Sequence, residues 1–144
     1  MTKATSVAPT NIAFAKYWGK ASQTEKRPVN GSVSMTLGGY DGRDGLQTTT
    51  TVEFGDQYNE DEFWLDGEKI EGKKADKVFE HLDRVRAERC AKMNDSFDMK
   101  AKVMSENNFP TGTGLSSSAS GFAALTVASA SAAGLDLSER ELSI

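Results

Sequence analysis

The sequence predicts one domain that combines β-strands with α-helices, an α/β (α+β) chain. Residues 46–54 (LQTTTTVEF) are rich in β-branched side chains, and residues 97–103 alternate strictly between apolar and polar side chains. Residues 74–93 instead carry an apolar stripe at helical spacing, formed by Val78, Phe79, Leu82 and Val85. With 144 residues, of which 38% are hydrophobic, the chain can bury one core.

The first half of the chain is predicted to be mostly β-structure. Residues 4–7 begin as a short strand, residues 33–37 alternate, and residues 11–31 between them form a loop of unusual chemistry. Residues 63–70 form a further β unit. Its Asp-Gly pair at residues 66–67 is typical of a type I′ hairpin turn, in which both central residues need positive φ.

The second half ends in helices. A loop over residues 105–113 leads to a helix of small residues over 116–133, with Gly134 as its C-cap. Three alanines are expected to let this helix pack closely on its neighbour: Ala119, Ala123 and Ala124. Ser138 and Glu141 form a capping box that begins another helix.

The charge balance excludes several classes of function. The formal net charge is −4 and the pI is near 5.1, so no basic face for nucleic acid is evident. A single cysteine, Cys90, permits no internal disulfide. We find no signal peptide and no apolar run of the roughly 20 residues that a membrane span needs. We therefore expect a soluble cytoplasmic protein without a membrane partner.

The remaining titratable residues give no competing site. His81 and Cys90 lie on the first predicted helix without a partner to activate them, which favours packing roles. No Cys/His cluster suggests zinc. The acidic residues 56–62 lack the spacing of a calcium loop, so we expect a solvated turn there.

The most informative segment is NNFPTGTGLSSSASG, residues 107–121. It follows a strand and leads into a helix, where the first N–H groups have no partner within the helix. Glycines that allow close backbone approach, serine hydroxyls and the helix dipole together make a site for phosphate. A serine-rich N-cap after an ordinary glycine turn is the alternative, and composition alone does not separate the two readings.

The order P-x-x-x-G-L-x-S-S-A over residues 110–119 resembles the phosphate-binding motif of the GHMP kinase superfamily. The longer strings SENNFPT (105–111) and SGFAAL (120–125) look like one branch of it, the diphosphomevalonate decarboxylase family. That family usually has T-A-A-G where this chain has TGTG at residues 111–114. The resemblance implies that ATP phosphates bind Asn108, Pro110, Thr111, Gly112, Thr113, Gly114, Leu115, Ser116, Ser117, Ser118 and Ala119, with Mg²⁺ on the Ser118 hydroxyl.

The segment NIAFAKYWGK, residues 11–20, is similar to the N-terminal signature of the same family. Taken alone, an amphipathic strand end with an exposed aromatic pair is the favoured interpretation, and the resemblance reverses that preference. PVNGSVSMTL (28–37) also matches, with Gly31 in place of a serine, and WLDG (64–67) resembles a family hairpin. The resemblance implies that the substrate diphosphate binds Tyr17 and Lys20, and that Trp18, Asn30 and Ser32 shape the substrate pocket.

The implied fold is the GHMP kinase N-terminal lobe, of the ribosomal protein S5 domain 2-like type, a mixed sheet with helices on one face. The implied activity is ATP- and Mg²⁺-dependent decarboxylation of diphosphomevalonate by a homodimeric enzyme. The family arginine and aspartate of the reaction fall beyond Ile144, so no catalytic residue is assigned here. We expect residues 1–144 to be one truncated lobe without turnover. A GHMP small-molecule kinase and a non-catalytic phosphate-binding module are the alternatives.

Overall fold

A computed structural model describes residues 2–15, 19, 29–38, 45–110 and 117–142. Its strands are β1 (Lys3–Pro9), β2 (Asn11–Ala15), β3 (Val33–Thr36), β4 (Gln47–Gly55), β5 (Glu62–Leu65), β6 (Glu68–Lys69) and β7 (Lys100–Asn107). Its helices are α1 (Lys73–Met93), α2 (Ser117–Ala132) and α3 (Glu139–Leu142). None of the helices in these described ranges is long and apolar enough to cross a bilayer.

Five of the strands form one mixed sheet in the order β1-β4-β7-β5-β6. β5 runs parallel to β7, and the other neighbouring pairs are antiparallel. Alternate residues of β4 are buried, and Val52 and Phe54 pack with Leu82 of α1 and Leu125 of α2 in one core. The expected mixed sheet with helices on one face is therefore confirmed.

The element ends follow the predicted turn and cap chemistry. Asp66 and Gly67 both have positive φ, 51° and 85°, as the hairpin turn requires. After α2, Gly134 has φ 74°; its N–H bonds the Ser131 carbonyl and the Leu135 N–H bonds the Ala130 carbonyl. This pair of bonds is a Schellman motif, so the predicted C-cap is confirmed.

The capping box before α3 is also confirmed. The Ser138 N–H donates to Glu141 at 2.8 Å, and the Glu141 N–H faces the Ser138 hydroxyl at 3.4 Å. Lys92 of α1 then pairs with Glu141 at 2.6 Å. This short helix is therefore held against α1 by a salt bridge as well as by its own cap.

Part of the segment predicted as loop between residues 11 and 31 is a strand. β2 pairs with β3 in a separate two-stranded ribbon. Thr10 joins the ribbon to the main sheet, because its N–H bonds Leu46 and its carbonyl accepts from Leu37. One face of the ribbon is apolar and exposed, and it carries Ile12, Phe14, Val33 and Met35.

The strand predicted over residues 97–103 starts later and runs further. Gly55, the last residue of β4, pairs with Lys100, so residues 97–99 have no strand beside them. Phe97 is buried through an edge contact with the Phe54 ring, which accounts for the misleading alternation. At the other end, residues 105–107 continue β7 instead of beginning the loop.

Two side-chain predictions are also wrong. Ala119 and Ala123 are exposed, and the α2 face on the sheet is formed by Ser120, Ala124 and Ala128. The acidic segment 56–62 is not all solvated turn, because its Asp61 carboxylate is nearly buried against Arg86 at 2.5 Å.

Candidate functional site

A cleft of about 390 Å³ lies between the first turns of α1 and α2 and the helix-covered face of the sheet. We call it the α2 cleft. Its lining is Thr48, Thr50, Phe63, Leu65, Lys74, Lys77, Val78, Val103, Ser105, Asn107, Ser118, Gly121, Phe122 and Leu125. The cleft therefore combines apolar side chains with a few polar groups, which is the usual make-up of a small-molecule site.

The floor of the α2 cleft holds a buried hydroxyl network. The Thr48 hydroxyl donates to the Asn107 side-chain oxygen at 2.7 Å and lies 2.8 Å from the Ser120 hydroxyl. Thr48 and Ser120 are both only 1% exposed. One strand of the sheet thus contacts the end of β7 and the first turn of α2 through a single side chain.

A second hydroxyl pair lies one step along the same strands. Thr50 and Ser105 are 2.9 Å apart and both buried. Because each buried hydroxyl here has a hydrogen-bond partner, the polar floor carries no desolvation penalty of the kind an unpaired group would impose.

The segment after β7 is held to the start of β4. The Asn108 side chain accepts from the Gln47 N–H at 2.8 Å and donates to the Gly45 carbonyl at 2.9 Å. The following residue, Phe109, is buried. Asn108 was predicted to bind phosphate, and these contacts show both polar atoms of its side chain bonded to backbone.

The entrance of the α2 cleft is positively charged. Lys74 and Lys77 project from the first turns of α1, and neither has an ion-pair partner within the described ranges. α1 begins after Gly72 with no side-chain cap on its first N–H groups. Two ammonium groups beside a helix start favour an anionic ligand.

The other predicted phosphate-binding residues lie partly outside the described ranges. Thr111, Gly112, Thr113, Gly114, Leu115 and Ser116 fall in the gap between 110 and 117, and Ser117 is described only as the first residue of α2. Pro110, Ser118 and Ala119 are exposed, and Ser118 lines the α2 cleft. The structure therefore brings Ser118 and Asn107 to one cleft.

The structure describes only two of the five predicted substrate-binding residues. Tyr17, Trp18 and Lys20 lie outside the described residues. Asn30 and Ser32 are exposed and immediately precede β3. Ala15, the last residue of β2, pairs with Val33, the first residue of β3, so Asn30 and Ser32 lie close in sequence to that end of the ribbon.

A second groove separates α1, α2 and α3 and has a volume of about 340 Å³. Its wall includes His81, whose Nε2 atom is buried without a hydrogen-bond partner among the described residues. Burial lowers the pKa of His81 and the nearby Arg84 cation lowers it further, so the imidazole is neutral at pH 7. Its ring packs edge-on against Phe122 at 6.1 Å. These contacts are those of a packed side chain.

No group of three His, Cys, Asp or Glu side chains gathers in a way that could hold a metal ion, among the residues that the structure describes. A Mg²⁺ ion commonly takes most of its ligands from water and substrate phosphates, with one or two protein oxygens. The exposed Ser118 hydroxyl at the α2 cleft fits that kind of coordination.

Sequence reasoning missed the residues beneath the cleft. Thr48 and Thr50 were interpreted only as β-branched strand formers, and Lys74 and Lys77 only as part of the first predicted helix. The alternation of threonines along β4 was an available signal, because every second one must face the helices. The sequence could not show that Thr48 bonds Ser120, because these two residues lie far apart in the chain.

Comparison with protein families gives one match over most of the chain. Residues 8–144 match the family described as "Diphosphomevalonate decarboxylase-like N-terminal domain". The diphosphomevalonate decarboxylase of Candida albicans is 39% identical over 132 residues, which are 89% of this chain and 35% of that protein. The Saccharomyces cerevisiae enzyme is 38% identical, over 97% of this chain and 36% of its own.

Solved structures show the same similarity. Mevalonate diphosphate decarboxylase from Staphylococcus aureus has a TM-score of 0.85 and 39% identity, covering 99% of this chain and 39% of that one. A structure described as "MDDEF in complex with MVAPP, AMPPCP and Magnesium" has a TM-score of 0.84 and 42% identity, covering 99% and 40%. The chain thus spans well under half the length of these relatives.

Proposed function

Because the chain belongs to the diphosphomevalonate decarboxylase-like N-terminal domain family, we propose that it is the ATP- and substrate-binding lobe of an enzyme. That enzyme converts (R)-5-diphosphomevalonate and ATP to isopentenyl diphosphate, carbon dioxide, ADP and phosphate, in the mevalonate route to isoprenoids. The observation that carries the proposal is the α2 cleft. It opens beside the first turn of α2, the helix into which the predicted phosphate-binding motif leads.

In this proposal the ATP phosphates lie against the start of α2. The first N–H groups of the helix have no helical partner, and its dipole places positive potential there. Ser118 offers a hydroxyl from the first turn, and the backbone of residues 111–116 completes the phosphate loop. Asn108 acts here by holding the loop to β4, since its side-chain atoms are bonded to Gly45 and Gln47.

The nucleoside part of ATP occupies the α2 cleft. Phe63, Leu65 and Phe122 provide apolar walls for a planar base, and a cleft of about 390 Å³ lies within the size range of ligand pockets. Lys74 and Lys77 at the entrance add charge that favours a polyanion.

In this proposal the substrate binds the residues of the two N-terminal motifs. Tyr17 and Lys20 hold its diphosphate through a hydroxyl donor and a point charge. Trp18 shapes the pocket, and Asn30 and Ser32 supply polar contacts from the segment just before β3.

The reaction needs a better leaving group than the tertiary hydroxyl of the substrate. Phosphoryl transfer from ATP to that oxygen supplies one, and loss of phosphate and carbon dioxide then forms the double bond. This chain binds and orients the two anionic molecules so that the hydroxyl and the terminal phosphate meet. Mg²⁺, held through phosphate oxygens and Ser118, supplies charge neutralisation when bound.

The arginine for the substrate carboxylate and the aspartate near the reacting hydroxyl belong, in this proposal, to the part of the relatives that the chain does not span. Residues 1–144 alone therefore bind nucleotide weakly and do not turn over. The complete enzyme is a cytoplasmic homodimer.

The test is product analysis with carboxyl-labelled substrate and a longer protein that contains these residues. Label release as carbon dioxide, lost in Lys20→Ala and Ser118→Ala variants, supports the proposal. A phosphorylated acid without carbon dioxide identifies a kinase instead. No ATP consumption with retained nucleotide binding identifies a binding module. A segment Gly-Ser-Gly-Ser-x-Cys-Arg after Ile144 in the longer protein would support the same proposal from its sequence.

A further inference from the structure

Both ends of the segment proposed to bind phosphate are attached to the same side chain. Asn107 immediately precedes this segment and Ser120 lies in the helix that follows it. The Thr48 hydroxyl donates its one proton to Asn107, so the Ser120 hydroxyl must be the donor to Thr48. A single buried oxygen on β4 therefore accepts from the helix side and donates to the strand side.

This arrangement differs from ordinary core packing. Thr48 is 1% exposed and faces the core, where a valine of the same shape would satisfy the apolar packing. The hydroxyl instead bonds two partners, Asn107 at the end of β7 and Ser120 in the first turn of α2. Asn108 adds a second anchor on the strand side through the Gln47 N–H.

We infer that Thr48 is a positioning residue for nucleotide binding, which acts by fixing the start of α2 relative to the end of β7. The inference rests on the proposed function, because the ligand it positions is the phosphate chain of ATP. Its consequence is that loss of the hydroxyl loosens α2 at its first turn and weakens nucleotide binding without removing any group that touches phosphate.

The chain offers a matched pair of substitutions for the helix side. Ser120→Ala removes the link to Thr48 from a residue that does not line the α2 cleft. Ser129→Ala removes an equally buried hydroxyl from the same helix, one that bonds only carbonyls of its own helix. Thr48→Val cuts both links, and Thr48→Ser keeps the hydroxyl.

The measurement is made on residues 1–144 with MgADP as the probe. We expect MgADP to bind about tenfold more weakly to the Thr48→Val variant and about fivefold more weakly to Ser120→Ala, the sizes that follow from losing one or two neutral hydrogen bonds. Ser129→Ala binds as the original chain does, and Thr48→Ser restores most of the affinity.

Amide hydrogen exchange separates this inference from the proposed function. We expect the amides of Gly121 and Phe122 to exchange faster in Thr48→Val and Ser120→Ala, by more than the loss of global stability explains. In the control Ser129→Ala, their exchange changes no more than global stability does. Equal exchange and affinity in Ser120→Ala and Ser129→Ala overturn the inference. If the original chain binds no MgADP, the proposed nucleotide site fails, and faster exchange still supports the anchoring role of Thr48.

Discussion

Replacing Asp61 with alanine leaves the Arg86 guanidinium buried without its closest anion. Arg86 is 7% exposed and Asp61 11% exposed, with their nitrogen and oxygen 2.5 Å apart. The same Asp61 oxygen accepts from the Ala101 N–H at 2.8 Å. The pair therefore joins α1, the start of β7 and the connection into β5.

The expected loss is large because both groups are buried. Removing one partner of a buried pair costs about 3–5 kcal/mol, since the remaining charge stays desolvated. Arg86 keeps a bond to the Met99 carbonyl and one to Asp83, so we expect Asp61→Ala to cost about 3 kcal/mol. In urea, that loss lowers the unfolding midpoint by about 1.5–2 M at a typical slope.

The assay is equilibrium urea unfolding of residues 1–144 followed by circular dichroism. Asp83→Ala is the control, because its side chain also contacts Arg86 but is 73% exposed, and such pairs contribute about 1 kcal/mol or less. Asp61→Asn keeps an acceptor for Ala101 and should lose less than Asp61→Ala. Equal losses for Asp61→Ala and Asp83→Ala would refute the reasoning that burial sets the magnitude.

Three further outcomes are expected. Burial lowers the pKa of His81 below 6.5 and the Arg84 cation lowers it further, so the free energy of unfolding falls as the pH drops through 6.5. A His81→Gln variant should lack this component across the same titration. The Lys92 ammonium lowers the pKa of Glu141 to about 2, so the contribution of that carboxylate to α3 docking is lost as pH falls from 4.5 through 2; α3 amide shifts should report it, and a Glu141→Gln variant should lack it. Gly121 has open space where a Cβ would lie, so Gly121→Ala should raise the free energy of unfolding in urea by about 0.5–1 kcal/mol. The larger side chain of Gly121→Leu should occupy the α2 cleft and weaken MgADP binding.

Local chemistry predicted the element types well where one signal dominated. The threonine-rich segment, the apolar stripe of α1 and the Asp-Gly turn each allow one structure, and all three are confirmed. The two caps, at Gly134 and at Ser138, are confirmed for the same reason, since each depends on residues within one turn of the chain.

The predictions that failed depended on distant partners. Residues 97–99 alternate correctly for a strand but lie beyond the end of β4, and no other strand in the described part of the chain pairs with them. The wrong face of α2 was predicted to pack on the sheet. Small residues occur on every side of this helix, so the spacing of apolar residues could not show which alanines face the sheet. Asp61 looked solvated because its cation, Arg86, is supplied by a helix further along the chain.

The candidate site also combines residues that a local motif predicts with residues that only the tertiary structure brings together. Motif order predicts a phosphate-binding role for Ser118 and the residues around it, because that segment is continuous in sequence. The α2 cleft itself is assembled from three strands and two helices, so Lys77, Phe63 and Thr48 could be assigned to it only once the sheet order was known.

The most direct test of the central claim is a nuclear magnetic resonance titration of isotopically labelled residues 1–144 with Mg²⁺ and the non-hydrolysable ATP analogue AMPPCP. The account predicts that the largest amide shift changes cluster at Asn107, Ser118 and Gly121, with smaller changes at Lys77. Changes concentrated in the groove around His81, or none at millimolar analogue, would contradict the placement of the nucleotide in the α2 cleft.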